Sequence, residues 1–158
     1  MREGGRPSVT RLLICRVGTK VCGLKLGHVL ETMRPLPIEP LSTLPPFVTG
    51  VAIIRGKPTP VVDAVALLGG ARAPSGAQRL VLIDLGTRSA ALLVDAVLGA
   101  RAIANDALSE LPAMLRRDPD GAYLAGLGEL DSELLLVLEH ARLVPDGAWQ
   151  ALEQAASS

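Results

Sequence analysis

Aromatic side chains are almost missing from this chain: Phe47, Tyr123 and Trp149 are the only three in 158 residues. Single-stranded nucleic acid is held on aromatic platforms, so that class of partner is nearly excluded for want of rings. The core has to be filled by Leu, Val, Ile and Ala instead. Net charge is missing as well. Sixteen basic residues balance sixteen acidic ones, which removes the global electrostatic footprint of a nucleic-acid or anionic-membrane binder. No run of about eighteen apolar residues occurs without charge, so no membrane-spanning helix is expected. Residues Met1 to Ser8 are mostly glycine, proline and charge without an apolar h-region. They predict a loose tail, no secretory signal and a cytoplasmic location. Cysteine is limited to Cys15 and Cys22. At this odd separation they would point to opposite faces of one strand, and two reduced, buried thiols are expected rather than a disulfide or a metal pair.

The motifs of catalysis are missing too. His28 and His140 lie more than a hundred residues apart, and each is expected as a separate, half-buried structural residue. No H-x-H, H-E-x-x-H or C-x-x-C pattern occurs to seed a metal site. Gly56-Lys57 and Gly69-Gly70 lack the spacing of a phosphate-binding loop or a dinucleotide fingerprint. G-x-S-x-G is absent, so a serine nucleophile would need partners brought together by the fold alone. The carboxylates Asp63, Asp84, Asp95, Glu129, Asp131 and Glu139 each end or interrupt a strand, and a cleft built for sugars would want the aromatics this chain lacks. No enzyme activity, cofactor or metal is expected.

Apolar residues make up 49% of the chain and charged ones 20%, which is the composition of a globular domain. They fall in short runs separated by turn residues, the pattern of an all-β protein. Leu12 to Val17 and Val21 to Leu26 read as a hairpin turning at Gly18-Thr19. Val29 to Arg34 reads as a short strand or one helical turn that delivers Glu31 to a fixed place. Five prolines between Pro35 and Pro46 suit an extended connector pinned to a barrel surface, with Phe47 as its anchor. Leu80 to Leu85 and Ser89 to Leu98 form a second hairpin, apolar on both faces, and Tyr123 to Leu130 with Glu133 to Leu138 a third, turning at Asp131-Ser132. Asp106 to Leu111 is expected as a brief capped helix. Ala71 to Gln78 is the best candidate for a mobile loop, and residues 116 to 121 for a turn. Trp149 and Leu152 share one side of a C-terminal helix over about 146 to 156.

The chain is organised around Gly50 to Asp63, G-V-A-I-I-R-G-K-P-T-P-V-V-D. Two β-branched runs flank Arg55-Gly56, a strand, a sharp turn and a second strand. Gly56 supplies φ > 0 at the reversal, while Pro58 and Pro60, lacking amide donors, belong to an edge or a strand start. Arg55 ends an apolar strand, where a neighbouring carboxylate could hold its planar five-donor head.

This stretch, with Leu67-Leu68-Gly69 after it, resembles the central signature of the CheW-like domain family. Val21 to Met33, Arg79 to Gly99 and Tyr123 to Glu139 resemble three further stretches of that family in the same order, so the likeness spans about residues 10 to 145. The resemblance implies a fold of two packed, five-stranded SH3-like β-barrels with short helices. A first subdomain would take about 10–50 plus 120–145, and a second about 51–119. It also implies a non-catalytic adaptor between the regulatory domain of a CheA-type histidine kinase and the cytoplasmic tip of a chemoreceptor. The family's polar pair falls on Glu31 and Arg55, expected as a charge pair at the groove between the barrels. Gly50 and Gly56 frame it, and Val29, Ile53 and Val97 are the apolar candidates for docking a neighbour. Departures are visible: Ile53-Ile54 stand where an asparagine and a leucine are usual, and Ala64-Val65 where leucine and arginine are. An oligomerising or inhibitory module without receptor contact is the alternative.

Overall fold

Three hairpins are set by the residues at their tips. Gly18 takes φ +61 between β1 (Val9–Val17) and β2 (Lys20–Lys25). Arg55 and Gly56 take φ +52 and +77 between β4 (Val48–Ile54) and β5 (Lys57–Asp63). Asp131 and Ser132 take +51 and +69 between β10 (Leu124–Leu130) and β11 (Glu133–Leu138). Positive φ at both central residues, as in the second and third of these, is the type I′ geometry whose twist matches the flanking strands. The computed structural model describes residues 8–41, 44–69, 76–110 and 123–157. The expected turn at 116–121, most of the loop at 71–78 and nearly all of the N-terminal tail lie outside them.

β3 (Val29–Met33) follows β2 through a 3₁₀ turn at Leu26–His28. α1 (Ala64–Leu68) follows β5, opened by the Asp63 carboxylate accepting from the Val65 N–H at 3.1 Å and stopped by Gly69 at φ +72. Next come β6 (Arg79–Asp84), β7 (Ser89–Val94) and β8 (Ala96–Ala104). The helix expected from Asp106 is a 3₁₀ turn, Asn105–Ala107, running into β9 (Leu108–Ser109), because pairing of Leu108 with Gly128 in β10 outweighs the local capping signal. α2 (Asp146–Ser157) is the expected C-terminal helix.

The strands form two sheets, ordered β8-β1-β2-β11-β10-β9 and β3-β6-β7-β5-β4. Both are built alike. In each, two antiparallel hairpins meet through one parallel pair, β2 with β11 and β5 with β7, and a further strand flanks one hairpin, β8 beside β1 and β3 beside β6, while the two-residue β9 is added at the far edge of the first sheet. Pro58 and Pro60 precede the parallel pairing of β5, which starts at Val61, so neither removes a bond from that ladder. Those flanking strands are exchanged. β3 leaves the β1–β2 hairpin to pair with β6, and β8 leaves the β6–β7 hairpin to pair with β1. The expected subdomain boundaries are corrected accordingly: β3 and β4 belong to the second sheet, and β8 to the first.

Each sheet is buried on both faces, the two-barrel SH3-like arrangement of an all-β protein. Leu12, Ile14, Val21, Leu135 and Val137 fill the inside of the first barrel. Ala52, Ile54, Val61, Leu80 and Leu82 fill the second. The alternate residues, among them Leu13, Cys15, Cys22 and Leu136 from one sheet and Val62, Ile83, Leu92 and Val94 from the other, make a third core between the barrels. Cys15 and Cys22 are cross-strand neighbours on this shared core, not residues of one strand, and both are free thiols. Leu36 and Ile38 of the proline-rich connector pack on the second barrel's core, while Leu44 and Phe47 reach the shared one.

Candidate partner-binding site

Arg55 occupies a left-handed backbone position that a residue with a Cβ adopts only at a cost of roughly 1 kcal/mol. The turn that imposes it throws the guanidinium out over the end of the second sheet. Its Nε donates to Glu31 Oε2 at 2.6 Å, and Nη2 contacts the same oxygen. The arginine side chain is 71% exposed and the glutamate 31%. Glu31 reaches it because of a bulge in β3: Val29 pairs with Ile83 but Glu31 with Leu82, so Leu30 is the extra residue and turns outward. β3 and β4 are the two edges of the five-stranded sheet, and the ion pair bridges them. The pair therefore lies within the second barrel and not at a groove between barrels, since β3 is a strand of that barrel.

Around it runs an open groove of about 620 Å³, lined by Leu30, Glu31, Arg55, Lys57, Arg88 and Trp149 among others. A second, more apolar groove of about 710 Å³ continues from Pro58, Arg88 and Trp149 to Ile38, Val51, Ile53 and Leu152. Arg88 stands between the two, its guanidinium carbon 4.0 Å above the centre of the Trp149 ring and its Nη1 3.8 Å from Glu153 Oε2. That stacking seats α2 on the β6–β7 turn. What the geometry offers is a fixed guanidinium, an exposed Lys57 and exposed aliphatic surface at Leu30 (53%) and Ile53 (61%), the makings of a protein-docking patch.

Of the residues singled out from the sequence, Glu31, Arg55, Gly56 and Ile53 come together here. Gly50 does not present itself to a partner. It is buried at φ +150, and a Cβ would overlap the Glu39 carbonyl, so its task is to admit the connector, which bridges to Val51 through two backbone bonds of 2.8 and 2.9 Å. Val29 and Val97 are half-buried against the shared core, and Val97 stands on the other sheet. Their neighbours Leu30 and Leu98 face outward instead. Arg88 and Trp149 were not legible as a joint feature, since nothing in local spacing links a hairpin turn to the C-terminal helix. The two histidines, expected apart, stack with ring centroids 3.6 Å apart and planes 20° from parallel. Asp95, buried at the start of the strand exchange, accepts from the Gly18 N–H at 2.7 Å and donates its own N–H to the Arg16 carbonyl.

A family model described as CheW-like domain matches residues 11–147. The chain is 29% identical over 140 residues to Protein FrzA of Myxococcus xanthus, covering 87% of this chain and 86% of that one. It is 25% identical over 146 residues to the chemotaxis protein CheW of Rhizobium meliloti (strain 1021), covering 92% and 91%. Among solved structures, the scaffolding protein TtCheW from Thermoanaerobacter tengcongensis superposes with a TM-score of 0.76 at 20% identity, over 89% of this chain and 96% of that one.

Proposed function

The chain belongs to the CheW-like domain family, and from that premise we propose that it is a non-catalytic adaptor coupling a chemoreceptor tip to the regulatory domain of a CheA-type histidine kinase. The observation that carries the reading is the Glu31–Arg55 pair, held on a strained turn and exposed beside aliphatic surface. A folding role alone explains it poorly. An exposed ion pair contributes only about 0–1 kcal/mol to stability, whereas a fixed charge at the centre of an interface is worth on the order of 2 kcal/mol or more in binding. Leu98, exposed on the other sheet, offers a second apolar contact point away from the pair, which supports the holding of two partners at once. Whether the output is motility or another behaviour depends on which receptor and kinase are engaged.

Titration calorimetry against a soluble receptor-tip fragment and against the kinase regulatory domain tests the proposal. Saturable binding to each, with the second partner still bound in the presence of the first, is the expected result. Failure to bind either, or strict competition between them, overturns the coupling role.

A further inference from the structure

The stacked histidines lie at the crossover between the two sheets. His28 ends the 3₁₀ turn that carries the chain from β2 in the first sheet to β3 in the second, and it is followed three residues later by Glu31. His140 begins the 3₁₀ turn just after β11. One flat contact thus fastens the outgoing strand to the far end of the chain.

We infer that this stack is a proton-sensitive positioning clamp for Glu31: closed while at least one ring is neutral, and released when both carry a proton. A cation stacks acceptably on a neutral ring, but two imidazolium rings face to face place like charges in contact. The charged groups around the pair are of both signs. Lys25, at the end of β2, adds a third positive charge. Glu139, with Oε1 3.4 Å from His140 Nδ1, already accepts from the Ala141 N–H, and Asp84 of β6 from the Gly86 N–H at 2.9 Å. His140 Nδ1 is buried and makes no hydrogen bond among the described residues, and the Glu139 oxygen 3.4 Å away is the one nearby group that favours a proton there. In keeping with this geometry, burial and then His28, with a smaller push from Lys25, hold His140 below the ordinary imidazole range against the opposite pull of Glu139 and Asp84. The unfolded chain then holds more protons at mildly acid pH than the native one, so stability falls as pH drops below about 6.5. The loosened element is the lead into β3, so the Glu31–Arg55 contact is what moves.

Side-chain NMR of the whole chain, without any partner, tests this independently of the adaptor reading. The histidine ring signals and the Arg55 Nε–H are followed from about pH 7.5 to about pH 5. Arg55 should shift with the same midpoint as the His140 ring, and His140→Phe, which keeps a flat ring but cannot take a proton, should abolish that shift. Carboxylate protonation belongs to lower pH and is common to both proteins. An Arg55 signal that stays still while His140 titrates overturns the inference, and so does an unchanged Arg55 profile in His140→Phe. Should that variant not fold, the wild-type titration decides alone.

Discussion

Arg55 shows how a residue can be chosen against its own backbone. Asn-Gly is the pair that type I′ turns favour, and Arg-Gly keeps the glycine while giving up the residue best suited to the first position. Arg55→Asn should therefore melt at or slightly above the wild-type temperature, because it relieves the turn and loses only an exposed pair. Arg55→Ala should melt within a few degrees of wild type, having lost the pair without easing the backbone. Both should bind receptor tip or kinase domain roughly thirtyfold more weakly, the equivalent of about 2 kcal/mol, and Arg55→Lys should recover little for want of the planar fork. Thermal melts beside calorimetry separate the two quantities, and unchanged affinity in Arg55→Asn would remove Arg55 from the interface. Arg55 was marked in the sequence by the turn glycine after it, but its pairing with Glu31 was legible only through the resemblance to the CheW-like family. The histidine stack was not. Nothing in either local stretch reports a contact between residues so far apart in the chain.

Elements were easier to read than their partners. The hairpins, the connector and the C-terminal helix follow from turn residues and apolar spacing, which are local signals. Sheet membership is not local. A strand with apolar residues on both faces fits either barrel, and nothing in β3 or β8 announces that it leaves its own hairpin for the other sheet. Glycine was misread for a related reason: Gly50 and Gly56 stand in one motif and look equivalent, yet Gly56 has nothing near its missing Cβ whereas Gly50 faces the Glu39 carbonyl. Gly50→Ala should therefore break the bridge between Glu39 and Val51 and cost on the order of 2–4 kcal/mol, from a left-handed backbone carrying a side chain and a clash with main chain. Denaturant unfolding measures the loss. Hydrogen exchange locates it, with the Glu39 and Val51 amides becoming unprotected first. Equal stability of the variant would mean that the connector is not fixed to β4 as described.

At the scale of the whole molecule, the strand exchange and the shared core make the two barrels one thermodynamic unit. Residues of both sheets meet in that core, so neither barrel can open without exposing the other's apolar face. Cys15 and Cys22 lie within it and act as built-in reporters. Burial pushes each thiol up to about 12, with Cys22 adding to the rise at Cys15 and Lys20 working against it at Cys22. In the unfolded chain both ionise near pH 9, while the native state keeps its protons until about pH 12. Between those values the native state binds more protons than the unfolded one, so stability is full below about pH 8.5 and falls as pH rises, by up to about 1.4 kcal/mol per unit for each thiol. The double substitution Cys15→Ala with Cys22→Ala isolates the share of the thiols. The cavities it leaves lower stability equally at every pH, so only the slope is diagnostic. Wild type should lose stability more steeply than the double variant between about pH 9 and pH 10.5, in one cooperative transition. Parallel curves would place the thiols in contact with solvent, and two transitions would show that the barrels unfold separately.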